Sequence, residues 1–214
     1  MMKTTIFWDN DGVLVDTEIL YYRANRQVLR RLGVELTIDQ FREFYLKQAM
    51  GAWHLASGGE LPETTIVGLR AVRDRIYEDL LRKESQSLPG AAEVLEALSG
   101  QLCMGVVTSS RRVHFDLIHT RTGFNRFFDV VVSGDDVRRS KPDPESYRRA
   151  LELTRRDPVE CVAIEDSERG LTAAKAAGLE CWVIPTPLTR DGDFRSADRV
   201  LSSLAEVVAL LGFR

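Results

Sequence analysis

Beyond Leu88 the chain alternates short apolar runs with segments of helical period, and few folds accept that alternation. Residues 104–108, 130–133, 161–165 and 181–184 are short, apolar and bounded by turn residues, as buried strands are. Around them lie helical segments. These cover 91–99, then 112–122 with Gly123 as its stop, a segment opened by Asp143-Pro144, 168–177 with Gly178 as its stop, and 204–211. Strands alternating with helices predict a parallel sheet covered by helices on both faces. Residues 4–8, five in a row without charge, predict a first strand in the same sheet.

Between that first strand and Leu88 the texture is helical only. Tyr21, Ala24, Val28 and Leu32 recur at helical spacing and end at Gly33. Thr37 and Gln40 predict a capping box for a helix through about Ala49. Gly51, Gly58 and Gly59 interrupt the next stretch, and Leu69, Val72, Ile76 and Leu80 mark one face of a helix over 62–84. The expected organisation is a catalytic core from 1–16 and 88–214, with an all-helical cap over 17–87 inserted after the first strand.

Several partner classes are disfavoured. The net charge is -3 and arginines are scattered among acids, so the basic face expected of a nucleic-acid binder is missing. No apolar stretch reaches the length of a membrane span. Met1-Met2-Lys3 runs straight into the first strand without the pattern of a signal peptide. Cys103, Cys161 and Cys181 are odd in number, widely spaced and set in apolar runs, which predicts buried thiols and a cytoplasmic setting. A monomer is expected.

Ligands of open parallel sheets bind beyond the carboxyl ends of the strands. There this sequence places Asp9-Asn10-Asp11-Gly12, Thr108-Ser109-Ser110, Lys141, and Glu165-Asp166-Ser167. Acids, hydroxyls and one lysine converging on one edge suit phosphoryl transfer with a divalent cation. Mg²⁺ takes hard oxygen ligands, among which Asp9 and Asp166 can be counted. A carboxylate such as Asp9 can attack phosphorus and divide one difficult step into two. Asp11, two residues on, can protonate the leaving oxygen and then activate water. Thr108 offers a hydroxyl and Lys141 a positive charge to phosphate oxygens. Each element alone has a plainer reading: a solvated turn, a helix cap, a rigid proline loop, or a broken calcium loop. Their joint occurrence in order supports a site.

The segments FWDNDGVLVDTE (7–18), VVTSS (106–110), SKPDPESY (140–147) and IEDSERGLTAAKAAG (164–178) resemble the haloacid dehalogenase-like hydrolase superfamily, in wording closest to its β-phosphoglucomutase and phosphoglycolate phosphatase branch. The resemblance implies a Rossmann-like, doubly wound α/β core with a helical cap. It implies Asp9 as nucleophile, Asp11 as general acid and base, and Thr108 and Lys141 as phosphate binders, with Ser109 lending its backbone amide. Mg²⁺ would be held by Asp9, the Asp11 carbonyl and Asp166, with Glu165 close by. Trp8 stands where the family usually carries Phe.

Within that superfamily Asp11 separates phosphoryl transfer from dehalogenation, which does without it. The expected activity is hydrolysis of a small phosphorylated metabolite, such as a sugar phosphate. The alternative is a phosphosugar mutase, which would return the phosphoryl group to the sugar. Two features weigh against it. Gly51-Ala52-Trp53-His54 replaces the Gly-x-Ser-Arg segment of such mutases, and Tyr21 stands where they tend to carry His. A phosphonatase would need a cap lysine, and Lys47 and Lys83 read as solvated. The cap holds eleven basic against ten acidic residues, so it gives no special support to a polyanionic substrate. Trp53 and His54 are candidate substrate-facing residues; the competing reading is a helix-to-helix turn with Trp53 packed inward. His114 and His119 are expected to be exposed, without a role.

Overall fold

A computed structural model describes residues 3–56 and 61–213. The interruption expected at Gly58 and Gly59 lies outside the described residues. The chain forms two compact units, Met1–Asp16 with Gln86–Arg214, and Thr17–Ser85.

The first unit is built on a sheet of six parallel strands, β1 (Thr5–Trp8), β2 (Cys103–Val107), β3 (Val130–Val132), β4 (Cys161–Glu165), β5 (Glu180–Val183) and β6 (Arg199–Val200), in the spatial order β3-β2-β1-β4-β5-β6. The order reverses direction at β1, and a crevice opens at such a point beyond the strand ends. Trp8 pairs with Val106 on one side and Ile164 on the other. That register leaves Asp9, Val107 and Glu165 level across three adjacent strands. The Asp9 N–H donates to the Ile164 carbonyl at 2.9 Å, which carries the ladder one residue past β1. β6 was not expected: it is two residues long with exposed side chains, and it joins through backbone pairing to β5 alone.

The second unit holds α1 (Glu18–Arg30), α2 (Ile38–Phe41) and α3 (Glu63–Glu84). The predicted capping box is present: Thr37 Oγ1 accepts from Gln40 N–H at 3.2 Å, and the Gln40 side chain accepts from Thr37 N–H at 3.0 Å. The helix that follows is not α-helical to Ala49. It widens to a π-helix over Arg42–Lys47, and the Phe41 and Tyr45 rings stack at 5.2 Å. Trp53 is packed inward among Val28, Leu36, Phe41 and Tyr45. Gly51 has φ +76° and lies directly beneath the Trp53 indole, where a Cβ would stand 3.1 Å from Nε1. His54 is exposed and sets its ring edge on Phe44.

The helices of the first unit are α4 (Ala91–Leu98), α5 (Arg112–Thr122), α6 (Glu145–Thr154), α7 (Glu168–Ala176) and α8 (Ala205–Leu211). Pro144 stands just before α6 instead of within its first turn, and Asp143 Oδ1 accepts from Glu145 N–H at 3.0 Å. The expectation that His114 and His119 are exposed is wrong. They are 4% and 1% exposed, because α5 turns His114, Phe115, Ile118 and His119 inward and leaves Val113 outside. Among the described residues no helix is long and apolar enough to cross a membrane.

Candidate active site

Asp9 follows β1, and Glu165 and Asp166 end and follow β4. One oxygen from each of the three lies within 4.8 Å of the others, and all three residues are buried. Lys141 reaches the same point from the loop before α6. Its Nζ donates to Asp9 Oδ1 at 2.6 Å, to Glu165 Oε1 at 2.6 Å and to the Val107 carbonyl at 2.7 Å, so its three protons are all used. The Tyr147 hydroxyl on α6 donates to the same Glu165 Oε1 at 2.5 Å, and its ring lies 5.2 Å from Lys141 Nζ. The Arg169 guanidinium, in the first turn of α7, donates to the backbone carbonyl of Lys141.

The electrostatics follow from the count. Four acids, Asp9, Asp11, Glu165 and Asp166, stand against two bases, Lys141 and Arg169. Burial pushes the Asp9 carboxyl up to about 8 against the pull of Lys141, and Glu165 and Asp11 add to the rise. Burial also opposes the Lys141 ammonium, but Asp9 and Glu165 outweigh it and raise the lysine above its ordinary range. Both shifts have one source: acid exceeds base in a desolvated space.

A divalent cation fits this set. Glu165 is fully buried, and its Oε2 has no hydrogen-bond partner in the protein. Glycine keeps the space around the cluster clear. Gly12, at φ +86°, lies where a Cβ would be 2.5 Å from Asp166 Oδ2, and a Cβ at Gly170 would collide with the Glu165 carboxylate. Hard oxygen donors in a set where acids outnumber bases match Mg²⁺ chemistry better than that of a soft metal.

Asp11 faces the loop after β2. Its Oδ2 accepts from Ser110 Oγ at 2.9 Å, Thr108 Oγ1 at 3.1 Å and Asn10 Nδ2 at 3.3 Å. The Thr108 hydroxyl oxygen also accepts from Ser110 N–H at 3.0 Å, which ties the loop after β2 into one turn. Ser109 is exposed, and its Oγ accepts from Ser140 Oγ at 2.9 Å, joining that loop to the one carrying Lys141. The structure thus gathers Asp9, Asp11, Thr108, Lys141, Glu165 and Asp166 at one sheet edge, with Ser109 on its rim. Trp53 and His54 belong to the helical unit. Ser110, Tyr147, Asn10 and Arg169 were not foreseen. Ser110 and Asn10 stood beside predicted residues, whereas nothing marked Tyr147 except its closeness to Lys141-Pro142.

Comparison with known proteins points the same way. Residues 6–184 match the model of the haloacid dehalogenase-like hydrolase family. Protein CbbY of Cereibacter sphaeroides is 34% identical over 223 residues, covering 99% of this chain and 96% of that protein. The phosphorylated carbohydrates phosphatase of Thermotoga maritima is 36% identical over 185 residues, covering 84% of this chain and 83% of its own length. The crystal structure of CbbY from Rhodobacter sphaeroides in complex with phosphate superposes with a TM-score of 0.85 at 31% identity, over 97% of this chain and 96% of that one.

Proposed function

This chain belongs to the haloacid dehalogenase-like hydrolases, and from that premise we propose that it is a magnesium-dependent phosphatase of small phosphate monoesters, sugar phosphates foremost, working through an aspartyl-phosphate on Asp9. One observation carries the reading. Asp11 stands two residues after a buried, lysine-bridged Asp9, and its carboxyl accepts from Ser110, Thr108 and Asn10. A nucleophile needs only Asp9; a second carboxyl beside it has a use when the leaving group is an alcohol that must be protonated.

The chain's own residues would act as follows. An Asp9 oxygen attacks phosphorus as the bond from phosphorus to the ester oxygen breaks, and the protonated Asp11 gives its proton to that oxygen. Asp11, now a carboxylate, takes a proton from water, which attacks the aspartyl-phosphate and releases phosphate and the Asp9 carboxylate. The Lys141 ammonium and the Thr108 hydroxyl stabilise charge on the transferring group, with Ser109 at the rim. Asp9, Asp166 and Glu165, with the Asp11 carbonyl, would hold Mg²⁺, which when bound offsets the excess negative charge and favours ionised Asp9. Support for a sugar phosphate comes from the phosphorylated carbohydrates phosphatase of Thermotoga maritima.

The test is turnover of p-nitrophenyl phosphate by the Asp9→Asn variant, with its fold checked by circular dichroism. Turnover is expected to vanish while the spectrum is kept; substantial residual activity would remove Asp9 as nucleophile. Incubation with a panel of sugar phosphates should yield free phosphate. A positional isomer of the sugar phosphate instead would indicate the mutase.

A further inference from the structure

Behind Asp11 lies a buried chain of polar groups that the proposed reaction leaves unused. Asn10 is fully buried, and while its Nδ2 donates to Asp11 Oδ2, its Oδ1 lies 2.8 Å from His119 Nε2. His119 Nδ1 in turn lies 2.8 Å from Thr122 Oγ1, which accepts from Phe124 N–H at 3.3 Å. The rings of Phe115, Phe124 and Phe128 surround the imidazole at centroid distances of 4.3, 5.9 and 5.8 Å. Burial there pushes the imidazole down to about 4, although Asp11 and Asp116 pull the other way, so the ring is neutral at neutral pH.

The direction of each hydrogen bond is then determined. The Asn10 amide N–H₂ donates to Asp11 Oδ2, which leaves its carbonyl toward His119. That carbonyl requires a proton on Nε2. The neutral ring therefore has a bare Nδ1, which the Thr122 hydroxyl can satisfy by donating. Turning the Asn10 amide over would lose its bond to Asp11 Oδ2 and set two N–H groups face to face at His119, at a cost of about 1–3 kcal/mol.

We propose that His119 is a positioning residue for proton transfer: anchored by Thr122 at the end of α5, it fixes the Asn10 amide, and Asn10 holds the Asp11 carboxyl where the leaving oxygen takes its proton. The inference rests on the reading of Asp11 given above. Of Asn10, Thr108 and Ser110, which all donate to Asp11, Thr108 and Ser110 are hydroxyls on the phosphate-facing loop and can turn toward a bound phosphate. Asn10 is the one tied from behind, through His119.

The test is the leaving-group dependence of kcat/KM with Mg²⁺ present, over aryl phosphates from p-nitrophenyl to phenyl. Phenolate leaves poorly and needs the proton; p-nitrophenolate leaves well and needs it less. His119→Leu is expected to lower kcat/KM for phenyl phosphate on the order of 10-fold, with a loss several times smaller for p-nitrophenyl phosphate. His119→Gln, which can still donate to Asn10, should restore much of the difference. Thr122→Val, a near-isosteric change, should steepen the dependence in the same direction, and it serves if His119→Leu does not fold. Equal losses on every ester in the folded variants, or no loss, would overturn the proposal. Activity in Asp9→Asn would instead overturn the phosphatase reading beneath it, whatever the slope.

Discussion

Lys141 Nζ lies 2.6 Å from Asp9 Oδ1 and equally close to Glu165 Oε1, so one ammonium joins the ends of two neighbouring strands. Removing it leaves two buried carboxylates facing each other. Lys141→Met is expected to lower stability by about 3–5 kcal/mol, the range for breaking a buried pair. Millimolar Mg²⁺ should recover part of that loss by binding the folded state alone. Urea unfolding with and without Mg²⁺ measures both effects. A variant as stable as the parent in chelator would mean that the bridge contributes little.

Gly12 offers a second handle on the metal. Gly12→Ala would strain a backbone at φ +86° and drive a methyl against Asp166 Oδ2. The expected result is Mg²⁺ affinity weaker by roughly 10- to 100-fold, of the size seen when groups supporting metal ligands are altered, plus about 1–2 kcal/mol of lost stability from the left-handed conformation. Titration of activity against Mg²⁺ reads the first. An unchanged half-saturation point would argue that Asp166 does not hold the ion.

The Tyr147 hydroxyl donates to Glu165 Oε1 from a fully buried ring, and burial together with Glu165 keeps its pKa well above the usual tyrosine range. It therefore remains a donor throughout the working pH range. Tyr147→Phe should cost about 1–3 kcal/mol, as for a hydrogen bond to a charged acceptor, and the loss should be the same at pH 6 and pH 9. A loss appearing at only one of these would show that the hydroxyl titrates.

His119 makes stability depend on pH in a defined direction. Its ordinary value of 6.5 falls to about 4 in the folded chain, so the unfolded chain takes up the proton first as pH drops. The neutral ring's contribution is complete above about pH 6.5 and declines as pH falls toward 4. The stability difference between the parent and His119→Gln should shift against the parent by about 2–3 kcal/mol between pH 7 and pH 4.5. Chemical denaturation at the two values checks this, and a constant difference would mean that His119 is not neutral in the fold.

How much of this was legible in the sequence depends on whether a position speaks through the backbone or through a side-chain partner. Asp9, Thr108, Lys141 and Asp166 could be found because strand ends dictate where ligands bind, and apolar runs betray strands. β6 could not, since Arg199 and Val200 join the sheet through main-chain bonds and leave exposed side chains that show no periodicity. His119 misled for the opposite reason. A titratable residue on an amphipathic helix suggests the wet face, and its burial is intelligible only once Asn10, far away in sequence, is placed against it. The turn into π-helix at Arg42–Lys47 left no mark on the apolar pattern at all.

The central place of β1 has a consequence in time. Asp9 is made before every other residue of the site, yet its strand has no neighbour until β2 at Cys103–Val107 and then β4 at Cys161–Glu165 have followed. A nascent chain halted before Glu165 carries Asp9, Asp11, Thr108 and Lys141 with two of the three metal-facing carboxylates still unmade. Assembly of the centre is therefore a late event in synthesis, reached only when strands distant in sequence close around the earliest one.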